Sequence, residues 1–473
     1  MSHPGLDELR EWDDRVVGLV DAFGLECAPQ EFEICDHNDM LGYMAYSGMP
    51  SQYPHWSFGK AFEKQKTLYD HGVSGLPYEM VINSDPSLAY LMRDNSLGLN
   101  ILTMAHVYGH NDFFRNNSTF VDTEPQYTLA RFKSHAERIR SYVEDPVAGP
   151  TAVEATLDAA HALALNCQRN MSLRKTTRSE QQQRAIDMST PPTDPNAAIH
   201  APLSKEDPDL SRIPLEPEPD LLLFIRDYNP YLAEWQKDIL TIVHEQAHYF
   251  IPQMETKIMN EGWASYWHYQ VMSELDLPDD LRIEFMINHN QVIRPHPGGI
   301  NPYHVGFRIW QAIYEREEGA GPIDHRRRDA GHHALFAARE SDRDSSFLRR
   351  FLDRDLVRDL GLFEFTEKGR DTVVSKVADD QGWESVRDTL VASVGTGSLP
   401  VIEITDADFQ GSRHLHLVHR YQGQELELPH ARATMELLRT LWGRDVFLDT
   451  VLNEKPARLH CSEDGFSAES TDR

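Results

Sequence analysis

The sequence predicts a mainly α-helical protein with a small C-terminal α+β module. Apolar residues recur at helical spacing over long stretches, most clearly from Trp235 to Phe250. Near the C-terminal end the pattern changes to the alternation of apolar and polar residues that is typical of strands, as in 401–405 and 414–418. The two patterns together favour a helical body followed by a separate small sheet.

Composition divides the chain into four parts. Residues 1–173 are expected to form an N-terminal helical region. Residues 174–219 lose apolar periodicity and become rich in Pro, Ser, Thr, Asp and Gln, so they are expected to be a disordered insert or linker. Residues 220–396 resume the helical pattern and are expected to pack with the N-terminal region, and residues 397–473 hold the α+β module and tail.

A possible zinc motif lies in the central part. His244 and His248 are four residues apart, so a helix presents both imidazoles on one face, and Glu245 lies beside them. Glu261 follows on the next predicted helix and can supply a third ligand, leaving a fourth position for water. The sequence therefore predicts a zincin-like HExxH helix with an antiparallel glutamate-bearing helix, His244, His248 and Glu261 as zinc ligands and Glu245 as catalytic base. The alternative is a satisfied polar pair in a helix core.

The fold-back of these helices depends on two residues. Pro252 is expected to end the first helix near Phe250, because proline disfavours a helical conformation in the residue before it. Gly262 is expected to let the backbones of these two folded-back helices approach closely beside Glu261.

Further polar residues are candidates for lining a pocket near this motif. Three of them can stabilise a developing oxyanion, and three lie in or beside a loop rich in proline and glycine, for which a solvated loop is the alternative. The two groups are Tyr249, Tyr266 and His268, and Arg294, His296 and Tyr303.

A second histidine cluster is predicted upstream. His106 and His110 are also four residues apart, and Glu154, Asp158 and His161 fall in helical register some fifty residues later. Two such helices packed together can hold a second metal, for which iron or manganese is an option beside zinc. The alternative is a buried polar network that fixes helix packing.

Charge and cysteine content limit the function classes. The 473 residues carry a net charge of −29, spread along the chain, which suggests a halophilic, high-salt cytoplasm and argues against nonspecific nucleic-acid binding. The four cysteines have no C-x-x-C spacing, so neither a disulfide framework nor a thiolate zinc site is implied. No apolar run is long enough to span a membrane, and we expect a cytoplasmic protein.

The chain resembles the stage V sporulation protein R (SpoVR-like) family from about residue 10 to residue 452. The strings that carry the resemblance are Tyr53–Lys60, Tyr78–Ser84, Tyr90–Met92, Ala105–Phe114, Leu157–Leu163, Glu234–Asp238, Thr256–His268, Asn301–Tyr303 and Leu441–Arg444. The resemblance implies a role related to building the spore cortex and genes often placed beside those of a PrkA-type serine kinase and a von Willebrand-type protein. It brings no firm enzymatic activity, and many members of the family lack histidines at the positions of His244 and His248. Either this branch retained a zinc site there, or the shared chemistry of the family lies at the cluster of His106, His110 and His161.

Two hypotheses about function follow. The first is a zinc-dependent hydrolase acting on a peptide or amide bond through the HExxH and Glu261 site. The second is a noncatalytic regulatory or assembly factor of a stress or sporulation type, working with a PrkA-type serine kinase system. If the source is halophilic, a role in spore formation is not expected.

Overall fold

The computed structural model describes residues 4–71, 78–169, 174–189, 208–296, 299–319, 324–368, 371–376 and 382–471. The helices in these ranges are α1 (Leu6–Phe23), α2 (His37–Ala45), α3 (Trp56–Asp70), α4 (Leu97–Asn116), α5 (Thr128–Glu144), α6 (Gly149–Leu163), α7 (Arg178–Ser189), α8 (Leu221–Tyr228), α9 (Glu234–Glu255), α10 (Lys257–Glu274), α11 (Asp279–Val292), α12 (Pro302–Glu318), α13 (Ala330–Ser341), α14 (Asp344–Phe351), α15 (Arg354–Asp359), α16 (Trp383–Ser393) and α17 (Leu428–Trp442). The strands are β1 (Gln30–Cys35), β2 (Met80–Ile82), β3 (Ser87–Met92), β4 (Glu364–Lys368), β5 (Asp371–Lys376), β6 (Ile402–Phe409), β7 (His414–His419), β8 (Val446–Leu452), β9 (Lys455–Ser462) and β10 (Gly465–Ser470). Over these ranges, every helix is too short or too polar to cross a bilayer.

The chain groups into two compact units. Unit 1 comprises Met1–Arg140 and Tyr249–Ser398, and unit 2 comprises Ser141–His248 and Leu399–Arg473. The fold is mainly helical with a C-terminal sheet module, which confirms the predicted fold class at this level. The four-part division by composition stays a prediction.

Helix α10 lies at the centre of unit 1, against α4 and α12. Its Trp263 and Trp267 are fully buried, as is Trp310 of α12, and burying such large side chains removes much apolar surface from water. Two glycine contacts set how closely the helices pack. A Cβ atom at Gly109 of α4 would lie 2.6 Å from the Cα of Ala264, and one at Gly262 would overlap the backbone of Gly306 in α12. Gly262 does permit a close backbone approach, but its neighbour is α12 and not the preceding helix of the predicted fold-back.

Asp344 fixes the start of α10. Its buried carboxylate accepts the backbone N–H groups of Ile258 and Met259, both at 2.9 Å, and so satisfies two donors that the first helical turn leaves free. Burial raises the pKa of this carboxyl to about 7 although both hydrogen bonds favour its charged form. Glu261 follows within the next turn and is therefore carried on a well-anchored helix end.

Asp112, near the end of α4, joins three further segments. One oxygen accepts the indole N–H of Trp263 at 2.9 Å, and the other accepts a guanidinium N–H of Arg339 at 2.8 Å and the backbone N–H of Glu26 at 2.7 Å. The pair of Asp112 and Arg339 is buried, so loss of either partner would strand a charge away from water. This network fixes the position of α4 along α10.

A three-stranded sheet in unit 1 has the order β1-β3-β2. β1 and β3 are parallel, whereas β2 and β3 are antiparallel. β2 is only three residues long and follows Glu79 directly. Pairing of β2 with β3 therefore fixes the backbone next to Glu79, and with it the position of the Glu79 side chain. A two-stranded antiparallel pair, β4 and β5, lies elsewhere in this unit.

Unit 2 contains a five-stranded sheet of order β10-β9-β8-β7-β6. β7 and β8 are parallel, with α17 between them in sequence, and the other neighbours are antiparallel. Alternate residues of β7 are buried, as the alternating sequence pattern predicts. Leu415, Leu417 and Leu459 of the sheet and Trp442 of α17 are buried in this module. Strands β9 and β10 were not predicted.

One local prediction is wrong. Helix α9 continues past Pro252 to Glu255, because burial of Tyr249 and Ile251 outweighs the backbone hydrogen bond that proline removes. Segment 174–219, predicted to be a disordered insert or linker, contains α7 in its described part. A capping box explains its start: the Thr177 hydroxyl accepts the Glu180 backbone N–H, and the Glu180 carboxylate accepts that of Thr177. Residues 190–207 of this segment lie outside the described ranges.

The glycine contact between α10 and α12 gives a stability prediction. Gly262→Ala should lower the free energy of unfolding by about 1–3 kcal/mol or more, because the added methyl group has to push two helix backbones apart. Gly18→Ala is the matched control, since Gly18 lies in the middle of α1 with nothing within 4 Å of the added carbon. The control should be neutral or stabilising by up to about 1 kcal/mol. Urea unfolding followed by tryptophan fluorescence measures both, and equal effects would contradict the packing described here.

Candidate metal centre

Four side chains of unit 1 form a buried group of potential metal ligands. Glu79, His106, His110 and Glu261 each offer one atom, and these atoms all lie within 4.8 Å of one another. We call this group the first cluster. The histidines come from consecutive turns of α4, Glu261 comes from α10, and Glu79 comes from the segment that leads into β2.

The distances in the first cluster match those between ligands of one ion. Nε2 of His106 is 2.9 Å from Oε2 of Glu79 and 3.9 Å from Oε2 of Glu261. Nε2 of His110 is 3.5 Å from the same Glu261 oxygen and 3.8 Å from Oε1 of Glu79. Ligand atoms on a tetrahedral zinc ion, at bond lengths of about 2.0–2.1 Å, lie roughly 3.3 Å apart. The four atoms are therefore spaced so that small adjustments would let them bind one ion.

Burial makes this arrangement costly without a positive charge. The side chains of Glu79 and Glu261 are 9% and 19% exposed, and those of His106 and His110 are 0% and 4% exposed. Within the described residues, Oε2 of Glu79 and Oε2 of Glu261 are buried and lack a hydrogen bond of good geometry. Two carboxylates held this far from water are unfavourable when only histidines face them, and a divalent cation would balance their charge. The donor set thus fits a metal.

The titration behaviour of the cluster reflects the same charges. Burial alone would raise the pKa of Glu79, but the attraction of His106 and hydrogen bonds with both histidines hold that pKa below its ordinary value. Burial would lower the pKa of His106, whereas the neighbouring carboxylates of Glu79 and Glu261 raise it to about 9. A proton on His106 therefore balances part of the negative charge, and a bound cation would compete with that proton.

Both cluster histidines are oriented from behind by other side chains. Nδ1 of His110 donates to the amide oxygen of Asn260 at 2.8 Å, which leaves Nε2 of the neutral ring with its lone pair toward the carboxylates. Nδ1 of His106 is joined to Nδ1 of His268 at 2.7 Å. Nε2 of His268 is joined in turn to Nδ1 of His289 at 2.8 Å. These three linked histidine side chains allow His106 to donate a hydrogen bond through Nδ1 and leave its Nε2 free to bind a metal.

The two outer histidines are suited to a neutral state. Burial, followed by the charge of His106, lowers the pKa of His268 well below its ordinary value. The same causes lower the pKa of His289 to about 4. A neutral imidazole ring can accept a hydrogen bond at one nitrogen and donate one at the other, as the hydrogen bonds linking His106, His268 and His289 require.

Two tyrosines complete the surroundings of the first cluster. The hydroxyl of Tyr303, in the first turn of α12, donates to Oε1 of Glu79 at 3.2 Å. The hydroxyl of Tyr78 lies 3.4 Å from Nε2 of His106. Burial and the nearby carboxylates raise the pKa of both phenols, so both remain proton donors at neutral pH.

A second group of potential ligands lies in unit 2. Asp220, His244 and His248 offer atoms within 4.8 Å of one another, and we call them the second cluster. Nε2 of His244 is 2.8 Å from Oδ2 of Asp220. The rings of His244 and His248 are 4.1 Å apart between centroids, on consecutive turns of α9. The predicted shared face of the two histidines is thus observed.

The zinc ligands predicted from sequence are divided between these clusters. Glu261 lies with His106 and His110, whereas His244 and His248 lie with Asp220. The predicted fold-back assumed that the first helix ends near Phe250, but α9 runs to Glu255. Helix α10 packs against α4, where its Ala264 meets Gly109 of α4. Glu245 is partly exposed on α9.

The predicted partners of His106 and His110 also differ from those observed. Glu154 is exposed on α6, and Asp158 and His161 are partly buried there. None of the three belongs to either ligand group among the described residues. Helical register showed that these residues share a face of α6, but it carried no information about which helix that face meets.

The six predicted pocket residues have different surroundings. His268 and Tyr303 contact the first cluster as described above. Tyr249 is buried against Phe132, and Tyr266 is buried near Phe307. Arg294 and His296 are exposed in the loop before α12.

Sequence reasoning missed Glu79, Asp220, Asn260 and His289. Glu79 and Asn260 do lie within strings shared with known sequences, Tyr78–Ser84 and Thr256–His268, which was the available signal. Asp220 is the N-cap of the apolar helix α8, and a carboxylate at a helix N-terminus is common without any metal. His289 gave no signal, because its role depends on a contact between helices.

Comparisons with known proteins cover nearly the whole chain. The family model described as SpoVR like protein matches residues 4–399, and the model of the SpoVR-like C-terminal domain matches residues 400–453. The uncharacterized protein YcgB of Escherichia coli strain K12 is 33% identical over 480 residues, which span 92% of this chain and 90% of that protein. No solved structure matches the chain.

The chain of histidines behind His106 gives a prediction about metal affinity. His268→Leu retains bulk but removes both ring nitrogens, so His106 loses the partner that orients it. Zinc affinity should fall about 10–100-fold, as is usual when an outer partner of a ligand is removed. Competition with a chromophoric chelator measures this, and His71→Ala, at an exposed helix end, is the control. Unchanged zinc affinity in a folded His268→Leu protein would show that the linked histidines do not orient His106.

Proposed function

The chain belongs to the SpoVR-like family, and we propose that it is a metal-dependent hydrolase whose zinc ion is held by the first cluster. The observation that carries this proposal is the pair of largely buried carboxylates of Glu79 and Glu261 facing the Nε2 atoms of His106 and His110. The printed name of the matched Escherichia coli protein states no activity that could be transferred. The proposal therefore rests on this chain's own residues.

We assign His106, His110 and Glu261 as the zinc ligands. One oxygen of Glu261 faces both histidine nitrogens, at 3.9 and 3.5 Å, so these three atoms form one side of a coordination shell. Two imidazoles and one carboxylate are a ligand set of catalytic zinc sites that keep a further position open. The predicted combination of two histidines with Glu261 is retained in this assignment, but the histidines are those of α4.

Glu79 is assigned as the catalytic base. A zinc ion held here would supply Lewis acidity, polarising a carbonyl group and lowering the pKa of a water molecule to about 7. The carboxylate of Glu79 lies beside both histidine nitrogens and is held by the hydroxyl of Tyr303, so it is placed to take a proton at this point. The role predicted for Glu245 thus passes to a residue distant in sequence.

Tyr303 and Tyr78 are assigned as hydrogen-bond donors to the substrate. Both hydroxyls lie at the first cluster, and their raised pKa values keep them protonated. Donors fixed in a site of low water content stabilise negative charge that develops on a carbonyl oxygen. A Lewis acid, a carboxylate base and phenol donors together suit hydrolysis of a peptide or amide bond, and we propose that substrate class. Glu261, 19% exposed, gives the cluster a side that faces solvent.

One observation favours a noncatalytic alternative. Oε2 of Glu79 is 2.9 Å from Nε2 of His106, a distance that also suits Glu79 as a fourth zinc ligand. Four protein ligands would close the coordination shell, as in structural zinc sites. The protein would then be a regulatory or assembly factor, for which a PrkA-type serine kinase and a von Willebrand-type protein are the proposed partners.

Cobalt substitution distinguishes the two alternatives without a known substrate. Protein loaded with Co²⁺ at the first cluster should change its visible spectrum when acetohydroxamate is added, because an open position accepts this ligand. Glu79→Gln should keep the metal and the spectral change, while losing hydrolysis of a peptide library by about 100-fold or more. Glu8→Gln, exposed on α1, should behave as the wild type.

Two results would contradict the catalytic assignment. An unchanged spectrum in the wild type would mean that protein atoms fill the coordination shell. Loss of the metal in Glu79→Gln, with the helical content unchanged by circular dichroism, would make Glu79 a ligand instead of a base.

A further inference from the structure

We infer that Asp220, His244 and His248 form a second divalent-cation site, suited to zinc and separate from the first cluster. The three side chains offer ligand atoms within 4.8 Å of one another. They share no residue with the first cluster, and all three belong to unit 2. The inference does not depend on the proposed hydrolase function.

Asp220 presents a fixed oxygen to this site. Its Oδ1 accepts the backbone N–H of Leu223 at 3.0 Å as the N-cap of α8, which orients the carboxylate. Its Oδ2 is then directed to Nε2 of His244 at 2.8 Å. The side chain is 5% exposed, so the second oxygen has little access to water. The N-cap hydrogen bond therefore holds the buried Oδ2 of Asp220 where a cation could bind it.

A hydrogen bond between Asp220 and His244 explains the positions of those two side chains, but it does not explain the surroundings of His248. Nε2 of His248 is buried and has no hydrogen-bond partner among the described residues, although its ring lies 4.1 Å from that of His244. A buried nitrogen without a partner is unfavourable. A cation between the two rings and Asp220 would satisfy this atom and use the other two.

The donor set indicates the kind of ion. Two imidazole nitrogens and one carboxylate oxygen are preferred ligands of zinc, whereas calcium and magnesium prefer oxygen ligands alone. Histidines four residues apart on α9 present their nitrogens on one face, as such sites require. Three protein ligands leave a fourth position for a non-protein ligand. The bound ion would link Asp220, the residue just before α8, to the middle of α9.

Zinc titration of the full-length chain tests this inference in a His110→Ala background, where the first cluster has lost a ligand. Calorimetry should show about one zinc per chain still bound. Asp220→Asn preserves the cap to Leu223 but removes the negative oxygen, and His248→Gln removes the unpartnered imidazole. Added to the background, each should weaken binding about 100-fold or more. His430→Ala, an exposed histidine of α17, should leave it unchanged.

Each outcome bears on one site. Absence of zinc binding in a folded His110→Ala protein would overturn the second site and leave the hydrolase proposal standing. Undiminished binding in Asp220→Asn and in His248→Gln would also overturn it. If one of these two variants fails to fold, as judged by circular dichroism, the other decides. Loss of binding in both, with His430→Ala unaffected, supports the site whether or not the first cluster holds a metal.

Discussion

The close packing of α10 against α4 and α12 is the constraint on which the rest of unit 1 depends. Gly109 meets Ala264 and Gly262 meets Gly306, at distances that leave no room for larger side chains. Because α4 carries His106 and His110 while α10 carries Glu261, the same packing sets the separation of the candidate ligands. The carboxylates of Asp112 and Asp344 then fix the two helices along their axes. Rigid helices of this kind hold ligands more accurately than loops do.

Charge placement explains why these residues point to a metal instead of an ordinary polar core. Two carboxylates are buried beside two histidines, and each histidine is oriented from behind, by Asn260 or by the chain through His268. Buried charge has to be compensated, and a protonated His106 compensates only part of it. A divalent cation would complete the balance of charge around Glu79 and Glu261. The metal proposal for the first cluster rests on this placement of charge.

Local patterns predicted much of the fold, and contacts between distant segments account for what they missed. Helical periodicity predicted α9, and alternation predicted β6 and β7, because these patterns report the burial of one face. Glu261 was recognised as a candidate ligand, but two His-x-x-x-His pairs exist, and spacing alone could not show which pair α10 meets. Glu79 precedes a three-residue strand and has no periodic pattern around it. Its role becomes visible only when β2, α4 and α10 are assembled.

Metal content per chain is the most direct test of the first cluster. Elemental analysis would compare the wild type, His110→Ala and His71→Ala, each purified without chelator or histidine tag. We predict that His110→Ala contains one zinc fewer than the wild type, because it loses a ligand with a 4% exposed side chain. His71→Ala, whose histidine is exposed at the end of α3, should match the wild type. Equal zinc content in all three folded proteins would contradict the proposed metal centre.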